Sequence, residues 1–263
     1  MKIPIFRFSW LEYYSKQNIF LKILKYCYGT LFLHSRVVAR FLFRNLEFEK
    51  NEIVLDIGCG DGNFANWISF HVGCKVIGID RLPQRIRLAK ITAQRYKLPN
   101  EFLCLDIEKE EINFKKEYFD KILMIDVLEH FRNPRKIIQK AAIWLKRGGV
   151  LFISTPVKNQ NRIFFHGYKN TFSYGEDRHF FEGFDIFTLI NWLKENGFTG
   201  EIKTNYIFYK VYQFVWELSE LIRKWSKILY SILLPLFELL TFLDRPLPFS
   251  KRRGNGIIII AQK

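Results

Sequence analysis

The sequence predicts an α/β fold built on a doubly wound, largely parallel sheet, and three observations support this. The run from Ile53 to Ile57 is apolar and partly β-branched, which is typical of a strand buried on both faces. Three glycines then alternate, and a helical pattern runs from Asn63 to Phe70. Further buried-strand patterns alternate with helical ones downstream. Together these features are typical of nucleotide-binding α/β sheets.

The loop after the first predicted strand carries the candidate cofactor residues. Its glycines follow the spacing G-x-G-x-G rather than the G-x-G-x-x-G of dinucleotide-binding enzymes. The stretch EIVLDIGCGDG resembles motif I of the class I S-adenosylmethionine (SAM) methyltransferases. SAM has a sulfonium and an amino-acid tail but no pyrophosphate, so a tight glycine turn beside a carboxylate suits it. The candidates in this loop are Asp56, Gly58, Cys59, Gly60 and Gly62.

A second buried strand, KVIGID, is predicted over Lys75–Asp80, followed by a helix over Leu82–Tyr96. An acidic residue at the end of the second strand of such a half-sheet binds the ribose, because a carboxylate accepts hydrogen bonds from two neighbouring hydroxyls. We therefore assign Asp80, with the adjacent Arg81, to the cofactor site.

A third strand is predicted over Glu101–Glu108. The resemblance implies that Asp106 and the backbone amide of Ile107 contact the adenine. The fourth strand is predicted over Lys121–Ile125, with Asp126 at its carboxyl end, where open α/β sheets bind ligands.

The run LKRGGVLFISTP is also similar to the family. It predicts a helix from Pro134 to Lys146, a stop at Gly148 and Gly149, and a fifth strand over Val150–Ser154. The resemblance then implies a Rossmann-like sheet of seven strands in the order 3-2-1-4-5-7-6, with the last strand antiparallel. Residues 201–207 and Gly256–Gln262 are the predicted outer strands.

Candidates for catalysis follow the fourth and fifth strands. Methyl transfer needs a general base only where the acceptor holds its proton tightly. His179 lies on the acceptor side by resemblance, in the long connection over residues 157–183, while His130, Glu129 and Asp126 follow the fourth strand. A packing role for either histidine is the alternative.

The chain divides into an N-terminal helical cap over residues 1–50 and a methyltransferase domain over residues 51–263. The domain carries an apolar helical insertion over residues 208–250. The insertion has one polar stripe at helical spacing, and Ile228–Leu243 is more apolar still but short for a membrane-spanning helix. It is expected to act as a lid, a membrane-interface segment or both. The alternatives are an enlarged core or a homodimer through residues 208–243.

Positive charge is concentrated at both ends of a chain whose net charge is +15. Residues 1–50 carry nine Lys/Arg against three Asp/Glu, and residues 205–263 carry nine against four. Arg36, Arg40 and Arg44 fall on one helix face, and Lys251–Arg253 follow the insertion. This pattern suits an anionic membrane surface, and ordinary solubilising charge is the alternative.

These observations lead to one functional expectation. We expect SAM-dependent methylation, on oxygen, of a small or lipid-linked acceptor such as a quinone or polyprenyl-linked sugar, at the cytoplasmic membrane face. Neither an Asn/Asp-Pro-Pro-aromatic motif nor a Pro-Cys pair is present, so no nucleic-acid acceptor is expected. No Cys/His set has zinc spacing, so no metal site is predicted and a reduced, cytoplasmic setting is favoured. A protein or RNA methyltransferase and a non-catalytic SAM-fold binding protein are the alternatives.

Overall fold

The chain forms two compact units in the computed structural model, which describes residues 33–160, 163, 179–241, 243–244 and 254–263. The helical unit comprises residues 1–47, 161–167 and 208–255, and the sheet unit comprises residues 48–160, 168–207 and 256–263. The first 32 residues of the predicted cap, residues 164–178 of the acceptor-side segment and the basic run Lys251–Arg253 lie outside the described residues.

The described part of the sheet unit forms one seven-stranded sheet in the order β3-β2-β1-β4-β5-β7-β6. The strands β1 to β5 are parallel, while β7 runs antiparallel to both β5 and β6. This confirms the predicted fold, strand order and reversed last strand. The strands are β1 Ile53–Ile57, β2 Lys75–Asp80, β3 Glu101–Cys104, β4 Phe119–Ile125, β5 Leu145–Pro156, β6 Ile202–Ile207 and β7 Gly256–Gln262.

Seven α-helices are described. They are α1 Leu33–Asn45, α2 Asn63–Val72, α3 Pro83–Arg95, α4 Pro134–Trp144, α5 Ile186–Glu195, α6 Lys210–Trp225 and α7 Lys227–Thr241. Helix α4 begins at a proline, and the Asn133 side chain accepts a hydrogen bond from the Lys136 N–H, so its first turn is capped. A short 3-10 helix, Leu128–His130, follows β4.

The core of the sheet unit lies on both faces of the sheet. Central residues such as Leu55, Ile122 and Ile259 are fully buried. The central strands therefore consist mainly of buried apolar residues, and polar residues stand at the carboxyl ends of two of them, Asp80 in β2 and Ser154 and Thr155 in β5. The candidate site therefore lies at the carboxyl ends of the strands.

Two strand boundaries differ from the sequence prediction. Strand β5 begins at Leu145 rather than Val150, because Leu145 already pairs with Phe119 across an irregularity in the ladder and Gly148 adopts a φ of 75°. Strand β3 ends at Cys104, and the carbonyl oxygen of Asp106 accepts hydrogen bonds from the N–H groups of Lys109 and Glu110. Asp106 thus lies in a turn beyond the strand.

The described part of the helical unit consists of α1, α6 and α7. Arg36 and Arg40 of α1 are buried, whereas Arg44 is exposed. Arg36 Nη1 lies 2.5 Å from Glu238 Oε2 of α7. The interpretation of all three arginines as a surface stripe is therefore wrong, because two of them pack inside the unit. None of the described helices has the length and apolar character needed to cross a bilayer.

Candidate active site at the carboxyl ends of the strands

The glycine loop after β1 uses its three glycines for different reasons. All three adopt positive φ, which disfavours other residues. A Cβ at Gly58 would lie 2.2 Å from Val127 Cγ2, and one at Gly62 would lie 2.7 Å from Ala89 Cβ. A Cβ at Gly60 would meet only a guanidinium nitrogen, 3.8 Å away. Gly58 and Gly62 therefore allow close packing, whereas Gly60 leaves an open approach to the backbone.

Asp80, at the end of β2, holds the glycine loop in place. Its Oδ2 accepts a hydrogen bond from Gly60 N–H at 3.0 Å, and its Oδ1 accepts one from Leu82 N–H at 2.9 Å. One carboxylate thus fixes both the glycine loop and the start of α3. Each oxygen retains further acceptor capacity for a ligand hydroxyl.

Asp56, within β1, is a buried acid whose hydrogen bonding is incomplete. Its side chain is 2% exposed, and Oδ2 has no hydrogen-bond partner among the described residues. Burial, and then the nearby charge of Asp80, raise the pKa of Asp56 to about 7. A buried acceptor without a donor is costly, and a ligand that donates or carries positive charge would relieve that cost.

An open cleft of about 590 Å³ lies beside this loop. Six of the predicted cofactor residues line it, and four do not. Those that line it are Gly58, Asp80, Arg81, Asp106, Ile107 and Asp126. The predicted residues outside its walls are Asp56, Cys59, Gly60 and Gly62. Cys59 is buried, which raises the pKa of its thiol well above the usual value.

The far wall of the cleft is a turn built on Asp106. Burial tends to raise the pKa of Asp106, but hydrogen bonds from the Lys109 side chain and from Glu108 N–H outweigh it, so the pKa lies below its ordinary value. The Glu108 side chain in turn accepts hydrogen bonds from Arg132 and Asn133 N–H. The Asp106 turn is therefore tied to the segment that follows the 3-10 helix.

Asp126 stands at the carboxyl end of β4 with a φ of 49°, a left-handed backbone conformation that is strained for a residue other than glycine. Strand β5 holds it there: Asp126 N–H donates to Ser154 O at 2.8 Å, and Ser154 Oγ donates to Asp126 Oδ1 at 2.9 Å. The carboxylate lines the cleft as a result.

Glu129 is a second acid that is as deeply buried as Asp56 and, like Asp56, does not line the cleft. Its side chain is 2% exposed, and burial followed by the charge of Asp126 raises its pKa to about 8. Thr155 Oγ1 donates a hydrogen bond to Glu129 Oε2 at 3.1 Å. Two consecutive hydroxyl side chains of β5, Ser154 and Thr155, therefore each hold one acid of the β4–α4 connection.

The structure brings His130 and His179 together with Glu129. The imidazole centroids lie 4.4 Å apart at 78°, and one ligand atom from each of the three residues lies within 4.8 Å of the others. Phe180 and Phe181 N–H groups donate to the Glu129 carbonyl oxygen, which fixes the chain beside His179. The carboxylate and the two imidazoles together are donors that suit a divalent cation, an option that sequence spacing did not reveal.

Sequence reasoning did not assign three residues to this site. Arg85 lines the cleft from the first turn of α3, while Ser154 and Thr155 position the acids. The available signal was the appearance of polar residues directly after the buried run of β5, at the sheet edge where ligands bind.

A protein-family model described as a methyltransferase domain matches residues 31–201. The chain belongs to this family. Its fold and glycine loop are those of the class I SAM-dependent methyltransferases, which confirms the resemblance seen in the sequence.

Among curated relatives, the ubiquinone biosynthesis O-methyltransferase of Coxiella burnetii is 36% identical over 110 residues, covering 42% of this chain and 46% of the relative. The protein of the same name from Bradyrhizobium diazoefficiens is 33% identical over 106 residues, covering 40% of each. The chain thus aligns with less than half the length of these relatives.

Solved structures share the fold at low identity. A phosphoethanolamine N-methyltransferase 2 of Haemonchus contortus, solved with S-adenosylhomocysteine, superposes with a TM-score of 0.64 at 17% identity, covering 95% of this chain and 59% of that one. The [4+2]-cyclase SpnF superposes with a TM-score of 0.59 at 16% identity, covering 86% and 80%. These likenesses concern the fold alone.

SAM, the cofactor of this class, is consistent with the residues present. The cation and donors of SAM match a site with an unsatisfied buried carboxylate at Asp56 and an open backbone approach at Gly60. Asp80 and Asp106 add acceptors along the cleft. The fit therefore rests on donor and acceptor chemistry.

Proposed function

We propose that the chain transfers a methyl group from SAM to an oxygen of a small or lipid-linked amphiphilic acceptor. The observation that carries this proposal is the acidic cleft at the carboxyl ends of β1 to β4, with Asp56 incompletely bonded beside an open glycine loop. The names of the curated relatives, which are O-methyltransferases, support oxygen as the acceptor atom.

When bound, SAM supplies an electrophilic methyl group on a sulfonium that is already a good leaving group. The chain then has to bind SAM and the acceptor, orient them for in-line transfer and exclude water from the cleft. Asp80 and Asp106, which line the cleft, would hold the adenosine end, and the buried Asp56 would supply negative charge near the sulfonium without lining the cleft itself. Arg81, Ile107 and Gly58 complete the walls. Asp126, fixed by Ser154, sets the boundary between the cofactor and acceptor sides.

The acceptor hydroxyl needs a base if its pKa is high. Glu129, with a pKa of about 8, is largely protonated at neutral pH and can take a proton only once it has ionised, as pH rises towards 8. His130, which lines the cleft and lies beside Glu129 and His179, is the group of this cluster that faces an acceptor. Asp126 contributes negative charge that keeps the proton affinity of Glu129 high. Glu129, His130 and His179 are thus proposed to act together on the acceptor side.

The acceptor class and location belong to the same proposal. A quinone, a polyprenyl-linked sugar or another glycan lipid would meet the chain at the cytoplasmic face of the membrane, where the chain is a peripheral protein. The excess of basic residues over residues 205–263, nine Lys/Arg against four Asp/Glu, supports this location.

Labelled SAM tests the function directly. The full chain is incubated with it and with fractionated cell lipids, sugars, protein and RNA. We expect label in the lipid fraction and an equal release of S-adenosylhomocysteine. Label in protein or RNA would show that the acceptor belongs to one of those classes. If no S-adenosylhomocysteine were released, the chain would be a binding protein without turnover. Adding a chelator decides whether a cation assists the Glu129 cluster.

A further inference from the structure

Helices α6 and α7 carry an exposed apolar surface within the helical unit. Trp225 is 81% exposed and Leu239 is 64% exposed. The exposed positions of α7 recur at intervals of three and four residues and so form one stripe. We call this the outer apolar face, and its principal residues are Phe214, Trp225, Ile228, Ile232, Leu236 and Leu239.

The polar stripe of α6 points the other way. Gln213, Glu217 and Glu220 are all buried, and Glu217 is fully so. Glu217 accepts hydrogen bonds from Gln213 Nε2 and from the N–H of Ile163, and Asn255 donates to Gln213. A satisfied polar interior under an apolar exterior is the reverse of the pattern in a helix that faces water.

The ends of α6 carry the charges that suit a lipid surface. Lys210 and Lys224 are exposed at the first and last turns, and Trp225 follows Lys224 directly. Tryptophan beside a basic residue is typical of the boundary between headgroups and acyl chains. Since no described helix is long enough to span, the geometry is that of a helix pair lying along the interface.

We infer that the outer apolar face of α6 and α7 inserts into the headgroup–acyl boundary of an anionic lipid bilayer. This inference deepens the proposed function, on which it rests for its biological meaning, by naming the surface that meets the membrane. The bilayer is favoured over a second copy of the chain because the exposed charged residues of α6, Lys210 and Lys224, are both basic, whereas its acids Glu217 and Glu220 are buried. A second copy would bring like charges together, whereas anionic lipid complements them.

The test is partition of the full chain onto vesicles of phosphatidylcholine with phosphatidylglycerol, compared with phosphatidylcholine alone. Leu239→Glu places a charge on the outer apolar face. Phe187→Glu is the matched control, because Phe187 is 65% exposed but belongs to α5 of the sheet unit. We expect Leu239→Glu to weaken partition on the order of tenfold or more, and Phe187→Glu to bind like the parent chain. High salt should weaken binding of the parent chain several-fold.

Trp225 offers a second measurement that does not depend on a charged variant. The emission of Trp225 is obtained as the fluorescence of the parent chain minus that of Trp225→Phe. Lipids brominated in the acyl chain should quench this emission. Equal partition of Leu239→Glu and the parent chain, or no quenching of Trp225, would overturn the inference. So would a lipid-free dimer that Leu239→Glu dissolves in sedimentation velocity.

The failure of this inference is separable from failure of the proposed function. Vesicle partition is measured without SAM or acceptor, whereas methyl transfer is measured on detergent-dispersed lipid fractions. Transfer without partition would overturn the membrane surface alone, and partition without transfer would overturn the proposed activity alone.

Discussion

Both units of the chain bury charged side chains, but they use them differently. In the helical unit the buried groups bond one another, as Arg36 does with Glu238 and Gln213 with Glu217. In the sheet unit the buried acids gather at the strand ends, and Asp56 keeps an oxygen without a partner among the described residues. A buried ion pair thus links two helices of the first unit, whereas the second unit holds a buried acid that a ligand could satisfy. Four predictions test this contrast, from the largest expected effect to the smallest.

The largest effect should follow from breaking the Arg36–Glu238 pair. Burial already lowers the pKa of Arg36, and Glu238→Leu leaves its cation without this carboxylate. We expect a loss of about 3–5 kcal/mol in the free energy of unfolding, measured by denaturant titration. The double variant Arg36→Met with Glu238→Leu should recover most of that loss. A single variant as stable as the parent would show that the pair is not structural.

Asp56→Asn should increase the free energy of unfolding at neutral pH relative to the parent, whereas the loss of Glu238 should decrease it. An unfolded aspartate has a pKa near about 3.9, and folded Asp56 keeps its proton up to about pH 7. The folded state therefore binds more protons in this window, and the free energy of unfolding falls as pH rises through it, by at most about 4 kcal/mol. Asp56→Asn should remove this contribution.

The free energy of unfolding is measured against pH for both the parent and Asp56→Asn, and the difference between the two curves reports on Asp56. The difference is needed because Glu129 also lowers the free energy of unfolding as pH rises to about 8. Calorimetric titration with S-adenosylhomocysteine should show weaker binding by the variant. A variant that is less stable at neutral pH but binds normally would contradict the ligand-directed role of Asp56.

Substitutions in the glycine loop should distinguish a glycine needed for packing, Gly62, from one needed for the approach of a ligand, Gly60. Gly62→Ala should cost about 3 kcal/mol of stability, because its Cβ would overlap Ala89 at a positive φ. Gly60→Ala should cost only about 1 kcal/mol of backbone strain but should weaken S-adenosylhomocysteine binding. Thermal unfolding and ligand titration on both variants measure the two effects. Equal losses of stability would remove the distinction.

The smallest effect concerns Thr155. Its hydrogen bond holds the pKa of Glu129 below the value that burial alone would impose. Thr155→Val should raise that pKa by about one unit, worth about 1.4 kcal/mol. The rising limb of kcat/KM against pH should then move to higher pH, with activity recovered in alkaline buffer. A uniform loss at all pH values would indicate a structural role, and Thr155→Ser should keep the parent profile.

The sequence was sufficient for the sheet, and six of the ten residues that it assigned to the cofactor line the cleft. Continuous apolar runs predict strands buried on both faces, and the residue after each run predicts what lies at the ligand-binding edge. This reasoning placed Asp80 and Asp126 correctly at strand ends and the glycine loop at the start of α2. The strand order came from the family resemblance, because local patterns do not specify which strands pair.

Contacts between distant segments were beyond such reasoning. Helical spacing shows that Gln213, Glu217 and Glu220 share a face, but it does not say that this face is inside. Arg36 and Arg40 belong to a basic stripe in sequence, and only the fold reveals that they are buried. The approach of His179 to His130 likewise depends on a long connection.

The position of β7 has a consequence for how the protein is made. Strand β6 pairs only with β7 among the described strands, and β7 follows the helices α6 and α7 in the chain. During synthesis β6 must wait as an unpaired edge until the ribosome has completed the helical unit and released Gly256–Gln262. The hydrogen bonds that tie Lys263 to Gly148 and Gly149 also have to wait until β7 is available. The nascent chain therefore carries an incomplete sheet at a time when the apolar helices are already made, a state in which a chaperone would protect it from aggregation.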